Sequence, residues 1–168
     1  MNTDRGFNAS SLTFRQAGRE DCETILGFIR GLAVYERLEN EVVSTVELLQ
    51  EWLFDKRSAE VVFACVDGKE VGFALFFSNF STFLGRAGLY LEDLFILQEF
   101  RGRGIGTALF KELARIAVER GYGRMEWACL DWNTDGIEFY RSLNAEPMKE
   151  WLTYRLTGKS LSDLAGVK

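Results

Sequence analysis

The segment Phe100-Arg101-Gly102-Arg103-Gly104-Ile105-Gly106-Thr107 carries three glycines at alternate positions and two arginines. Closely spaced glycines let successive backbone N–H groups turn toward one anion, and a helix opening behind them adds its positive end. The chemistry on offer is the grip of a phosphate, most readily a pyrophosphate, with Arg101 and Arg103 able to approach the same charge. Two other phosphate loops are excluded. No complete G-x-x-x-x-G-K-[ST] run occurs, and a G-x-G-x-x-G pattern started at Gly102 meets Thr107 in its third glycine place. The alternative is a plain tight turn with surface arginines, which would bear the entropic cost of three glycines without return.

Other residues stand out by type. Glu92 and Asp93 interrupt an apolar run, where a carboxylate is costly without a task or a partner. In a regular strand the two face opposite sides, and a bulge would alter that. Asn133 has the position of a helix N-cap, and Tyr140 follows Phe139 on an amphipathic helix. Cys129 has no base of the usual kind to make it a nucleophile and reads as a packed strand thiol. The chain has no histidine, which removes His-centred catalysis and most zinc sites.

The elements that must position these residues follow from periodicity. Leu12–Gln16 alternates as a strand. Cys22, Ile25, Leu26, Ile29, Leu32 and Ala33 recur at helical spacing behind Glu20 and Asp21. Ser44-Thr45-Val46-Glu47 has capping-box spacing and opens a second helix to about Leu53. Val61–Val66, the turn Asp67-Gly68 and Glu70–Ser78 read as a hairpin. Gly88–Leu97 is a further strand leading into the glycine loop, followed by a helix from Thr107 to about Arg120 that Gly121 ends. Met125–Leu130 reads as a strand, Asn133 to about Arg141 as a helix, and Trp151–Leu156 as a last strand. The expectation is a mixed α/β fold, with residues 1–11 a loose tail and 12–168 a single domain.

Composition bounds the rest. A chain of 168 residues that is 47% hydrophobic buries enough surface to fold without a disulfide or metal. The formal charge of −5 disfavours nucleic acid and suits cationic partners. Cys22, Cys65 and Cys129 are odd in number and widely spaced, as in a cytoplasmic protein with reduced thiols. No apolar run reaches the length of a membrane span, and the N-terminus lacks a secretory h-region.

Arg101-x-x-Gly104-x-Gly106 at a strand-to-helix junction resembles the acetyl-CoA pyrophosphate loop of the GNAT N-acetyltransferase superfamily. Leu89-Tyr90-Leu91-Glu92-Asp93-Leu94-Phe95-Ile96 before it, Trp132-Asn133 and Phe139-Tyr140 after it, and Val34-Tyr35-Glu36 near the first helix end resemble the diamine (spermidine/spermine) and thialysine acetyltransferase branch. The similarity spans roughly Leu12 to Leu156. It implies a GNAT fold, with a central, mostly antiparallel sheet and flanking helices. It also implies acetyl-CoA as co-substrate, no metal, and a homodimer. By the same resemblance, the backbone of Leu94, Phe95 and Ile96 pairs with the pantetheine arm and acetyl carbonyl. Arg101, Gly102, Arg103, Gly104, Ile105, Gly106 and Thr107 hold the pyrophosphate, and Asn133, Thr134, Asp135 and Gly136 line the pantetheine side. Tyr35, Glu36, Glu92, Asp93, Glu126, Trp127 and Ala128 face the amine. The segment Phe80–Arg86 has no acidic residue where the polyamine enzymes carry one, and so resembles the thialysine-type and bacterial members better.

Acetyl transfer to an amine sets two proton problems. An alkylammonium with a pKa of ~10.4 must lose a proton, and a thiolate whose conjugate acid has a pKa of ~8.5 must leave. Glu92 is the expected base, its pKa raised by burial, with Asp93 or water as the alternatives. Tyr140 is the expected acid. The function implied is acetylation of a small cationic primary amine by direct attack in a ternary complex. A non-catalytic acyl-CoA sensor and a protein lysine or N-terminal acetyltransferase are the alternatives.

Overall fold

The computed structural model describes residues 11–166. Apart from Ser11, the tail expected over residues 1–11 lies outside the described residues. Contacts divide the chain into two compact units, one ending at Ala128 and the other beginning at Cys129.

In the first unit one sheet runs β1 (Leu12–Gln16), β2 (Glu60–Val66), β3 (Lys69–Ser81), β4 (Arg86–Ile96) and β5 (Met125–Trp127), in that spatial order. The first four strands are antiparallel neighbours, and β5 joins β4 in parallel opposite Leu89–Leu91. Asp67 and Gly68, both at positive φ, turn β2 into β3 as the Asp-Gly pair requires.

Successive residues of a strand face opposite sides, and each side of the sheet takes a helix. On one side α1 (Cys22–Glu36) packs Cys22, Ile25, Leu26 and Phe28 against Phe63, Phe73 and Phe95. Phe28 stacks on Phe73 at 5.3 Å and meets Phe95 edge-on at 6.4 Å. Burying a side chain of this size is worth about 1.5–3 kcal/mol. On the other side α3 (Ile105–Glu119), with its buried stripe Ile105, Leu109, Leu113 and Ala117, places Phe110 edge-on to Trp127 at 5.1 Å. Before β2, Thr45 caps α2 (Val46–Leu49), which continues as a π-helical turn over Gln50–Asp55 rather than as a regular helix to Leu53.

Two bulges break the ladders. Ala64 pairs with Gly72 and Cys65 with Glu70, leaving Val71 as an extra residue in β3. Leu75 pairs with Asp93 and Phe76 with Leu91, leaving Glu92 as an extra residue in β4. The second bulge explains why β5 stops at Trp127 instead of running to Leu130. The β4–β5 ladder ends at the Leu91–Trp127 pair, next to the point where the bulge bends β4.

In the second unit, α4 (Thr134–Ser142) follows its Asn133 cap, and α5 (Gly158–Ala165) ends at Gly166 in the left-handed region. The strand expected over Trp151–Leu156 is not formed. Those residues are irregular, and Trp151 and Tyr154 are 70% and 88% exposed, so the alternating pattern gains no burial that would hold a strand. The helix α5 was not anticipated.

Candidate functional site

The glycine loop lies between the end of β4 and α3. Gly102 and Gly104 have φ of 71° and 77°, the left-handed region that L side chains enter at a cost. A Cβ built on either meets nothing within 4 Å, so backbone conformation, not crowding, calls for glycine there. Gly104 is the N-cap of α3, whose first residue, Ile105, is two residues earlier than the expected start at Thr107. It supplies no capping side chain, and the first turn holds no acid. The first backbone N–H groups of a helix have no intrahelical acceptor, so this terminus suits an anion. Arg103 is exposed, with its guanidinium 5.4 Å from the Phe100 ring centroid.

Beyond Leu91 no strand among the described residues pairs with β4 on its β5 side. Leu97 donates its N–H to the Val71 carbonyl at 2.9 Å, which sets the phase of the β3–β4 ladder. Asp93, Phe95 and Leu97 therefore bond toward β3, while Leu94 and Ile96 turn their N–H and C=O groups to the open edge. Of the residues expected to meet a pantetheine arm, Leu94 and the Ile96 N–H thus face the open edge, whereas Phe95 bonds toward β3 and the Ile96 carbonyl accepts from Arg101.

The bulge sets which side of the sheet Asp93 takes. Cross-strand partners share a face, so Tyr90, paired with Phe77, and Asp93, paired with Leu75, both lie on the α1 side. Tyr90 stacks on Phe77 at 5.1 Å. Glu92 is exposed, whereas Asp93 is partly buried. The burial expected for Glu92 falls on Asp93 instead. Desolvation, then the charges of Glu92 and Glu36, push the Asp93 carboxyl up to about 6. Desolvation also raises the pKa of Glu36. Glu36 ends α1, where the helix dipole disfavours an acid, and Arg37 follows it at φ 62°. Among the described residues no lysine or arginine forms an ion pair with Glu36, Glu92 or Asp93.

Two expected site residues have side-chain partners within this unit. Arg101, although exposed, leans back along the strand: its Nε donates to the Ile96 carbonyl at 2.9 Å, and its guanidinium lies 4.7 Å from the Tyr35 ring centroid and 5.1 Å from that of Phe95. Glu126 is held by Asn79 Nδ2 at 2.7 Å and by Arg124 at 2.9 Å, two residues the sequence did not single out. Trp127 packs on Phe110, and Ala128 is exposed.

In the second unit, Asn133 Oδ1 accepts the Gly136 N–H at 3.0 Å, the expected cap. A Cβ at Gly136 would come within 2.8 Å of the Asn133 side-chain amide, so a larger residue there would make the capping side chain shift. Thr134 and Asp135 are exposed in the first turn of α4. Tyr140, partly buried, lies 5.5 Å from Phe139, ring to ring. Among the described residues no three His, Cys, Asp or Glu side chains gather to hold a metal ion, and no helix is long and apolar enough to cross a membrane.

A mixed sheet with a glycine loop between a bulged strand and a helix, and an open strand edge beside it, suits the fold of an acyl-CoA-type transferase. Residues 28–145 match the acetyltransferase (GNAT) family, and the chain belongs to that family. It is an N-acetyltransferase, and enzymes of this family use acetyl-CoA as co-substrate. It is 33% identical over 169 residues to thialysine N-epsilon-acetyltransferase of Mus musculus, covering 94% of this chain and 99% of that protein. Over 90 residues it is 44% identical to an L-ornithine N5-acetyltransferase of Arabidopsis thaliana, covering 54% of this chain and 40% of that one. Among solved structures, an integron cassette protein from the mobile metagenome of V. cholerae superposes with a TM-score of 0.78 at 27% identity, covering 92% of this chain and 98% of that chain.

Proposed function

We propose that the enzyme acetylates the primary amine of a small acceptor that carries a second cationic centre, a diamine, polyamine or lysine- or thialysine-like amino acid. The observation that carries this reading is that Asp93 lies in the field of Glu92 and Glu36 and that, among the described residues, no basic side chain forms an ion pair with any of the three. Burial of the Asp93 carboxylate beside the bulge and of Glu36 at a helix C-terminus costs stability, and a cationic ligand offsets that cost. The similarity to thialysine and ornithine acetyltransferases points the same way.

In this reading the glycine loop and the first turn of α3 hold the pyrophosphate, and the open edge at Leu94 and Ile96 aligns the pantetheine arm. Asn133, Thr134, Asp135 and Gly136 line that arm by resemblance of their motif. Asp93, ionised above a pH of about 6, accepts the ammonium proton directly or through water, with Glu92 and Glu36 in the same field. The freed amine nitrogen forms a bond to the acetyl carbonyl carbon and gives up its second proton to water as the carbon–sulfur bond breaks, and the thiolate takes a proton from the acid, which solvent reprotonates. Tyr140 donates that proton, on the strength of its motif alone. Both substrates are bound before transfer. A single domain over residues 12–168, a cytoplasmic location and a homodimer belong to the same proposal.

The test is a kcat/KM series with acetyl-CoA over diamines, lysine, ornithine, thialysine and a neutral monoamine. A dicationic or amino-acid acceptor should lead by at least tenfold. Equal values for the neutral amine would discard the acidic recruiting site, and no thiol release with any amine would favour an acyl-CoA sensor.

A further inference from the structure

The Arg101 guanidinium joins three parts of the first unit. Its Nε donates to the Ile96 carbonyl on the open edge of β4, and its guanidinium lies over the ring of Phe95 and over that of Tyr35, one residue before Glu36 on α1. Arg101 is also the residue immediately before Gly102, so its placement fixes where the glycine loop begins. The neighbouring packing is tight: a Cβ at Gly31 of α1 would come within 2.9 Å of the Phe95 ring, which leaves that ring little freedom to retreat. A guanidinium over aromatic rings is held electrostatically, and the planar fork loses little further entropy once seated.

We propose that Arg101 is a positioning residue that couples Tyr35, at the acceptor end of α1, to the acetyl-CoA loop, rather than a free phosphate ligand. This rests on the reading of Gly102–Thr107 as the acetyl-CoA loop. Seated between Tyr35, Phe95 and the Ile96 carbonyl, Arg101 holds the loop backbone in its binding shape before the pyrophosphate arrives. Preorganisation of this kind raises affinity by sparing an ordering cost. The state of Tyr35 then reaches the cofactor loop without contact between Tyr35 and the cofactor.

Calorimetric titration with acetyl-CoA alone, in the absence of any amine, tests this. Tyr35→Leu, which removes the aromatic face but keeps an apolar side chain, should weaken acetyl-CoA binding by about three- to tenfold, the range of a partly exposed cation–π contact. Tyr35→Phe keeps the ring and should stay within about twofold of wild type. Tyr35→Leu combined with Arg101→Gln should bind no more weakly than Arg101→Gln alone, because both changes cut one link. Circular dichroism and thermal melts confirm folding, and Tyr35→Phe supplies the comparison if Tyr35→Leu is unstable: a ring-preserving variant that lost affinity would overturn the proposal. So would unchanged or tighter binding by Tyr35→Leu, the result expected if Arg101 swings onto the phosphates, and so would additive losses in the double variant. Wild type that failed to bind acetyl-CoA would overturn the reading of the loop itself.

Discussion

The Glu36 carboxylate at the end of α1 raises the pKa of the Asp93 carboxyl in β4, adding to the larger effect of burial and to the charge of Glu92. A helix and a strand thus bring two acids into one field, and the consequences for stability and rate can be separated.

An aspartate in an unfolded chain titrates at ~3.9, whereas folded Asp93 titrates at about 6. Between these values the folded state holds a proton that the unfolded state has lost, so stability falls as pH rises through that window. Asp93→Asn removes the penalty. It should stabilise the protein by about 1–3 kcal/mol at pH 8, with the two stabilities converging near pH 4. Urea melts across that range read the difference, and a less stable Asp93→Asn protein at pH 8 would show that the carboxylate is repaid by partners.

Activity should move the opposite way. If Asp93 accepts the ammonium proton, kcat/KM on a diamine falls as pH drops below about 6. Asp93→Asn should lose about 10²-fold or more and with it that acidic limb. Glu92→Gln, at the exposed bulge residue, should lose less and keep the limb. A limb that vanished in Glu92→Gln and persisted in Asp93→Asn would assign the base to Glu92.

Gly104→Val should lower acetyl-CoA affinity by an order of magnitude or more in a folded protein. A β-branched residue is strained at φ 77°, and bulk enters the space over which the loop must approach the pyrophosphate. Calorimetry on Gly104→Val and Gly104→Ala should rank wild type above Ala above Val, and equal affinities would remove the loop from cofactor binding.

Tyr140→Phe deletes one hydroxyl from a ring that keeps its place beside Phe139. With Tyr140 as the acid, kcat should drop about 10²-fold or more at unchanged acetyl-CoA affinity. Near-normal kcat would leave the tyrosine a packing residue.

Much of this arrangement was legible in residue order. The alternation of β1 and β2, the Asp-Gly turn, the helical spacing of α1 and the Asn133 cap all act over a few residues, where local chemistry decides. The bulge was not legible, because Glu92 is an extra residue only relative to the register of β3. Nor was the contact of Arg101 with Tyr35 and Phe95, which depends on those rings arriving from elsewhere in the chain. The segment Trp-Leu-Thr-Tyr-Arg-Leu over residues 151–156 misled for a related reason. Its alternation is that of a strand, but alternation alone does not provide a surface to bury it against.

The bulge at Glu92 also makes β4 sensitive to length as well as to composition. Loss of the single codon for Glu92 would let Leu91 and Asp93 close up opposite Phe76 and Leu75 into an unbroken ladder. The result would be a better strand and a poorer enzyme, since the bend that ends the β5 ladder would go with it. Among natural or engineered variants, substitutions at this position are therefore expected to be graded in effect. One-residue insertions and deletions there should abolish turnover while the protein still folds.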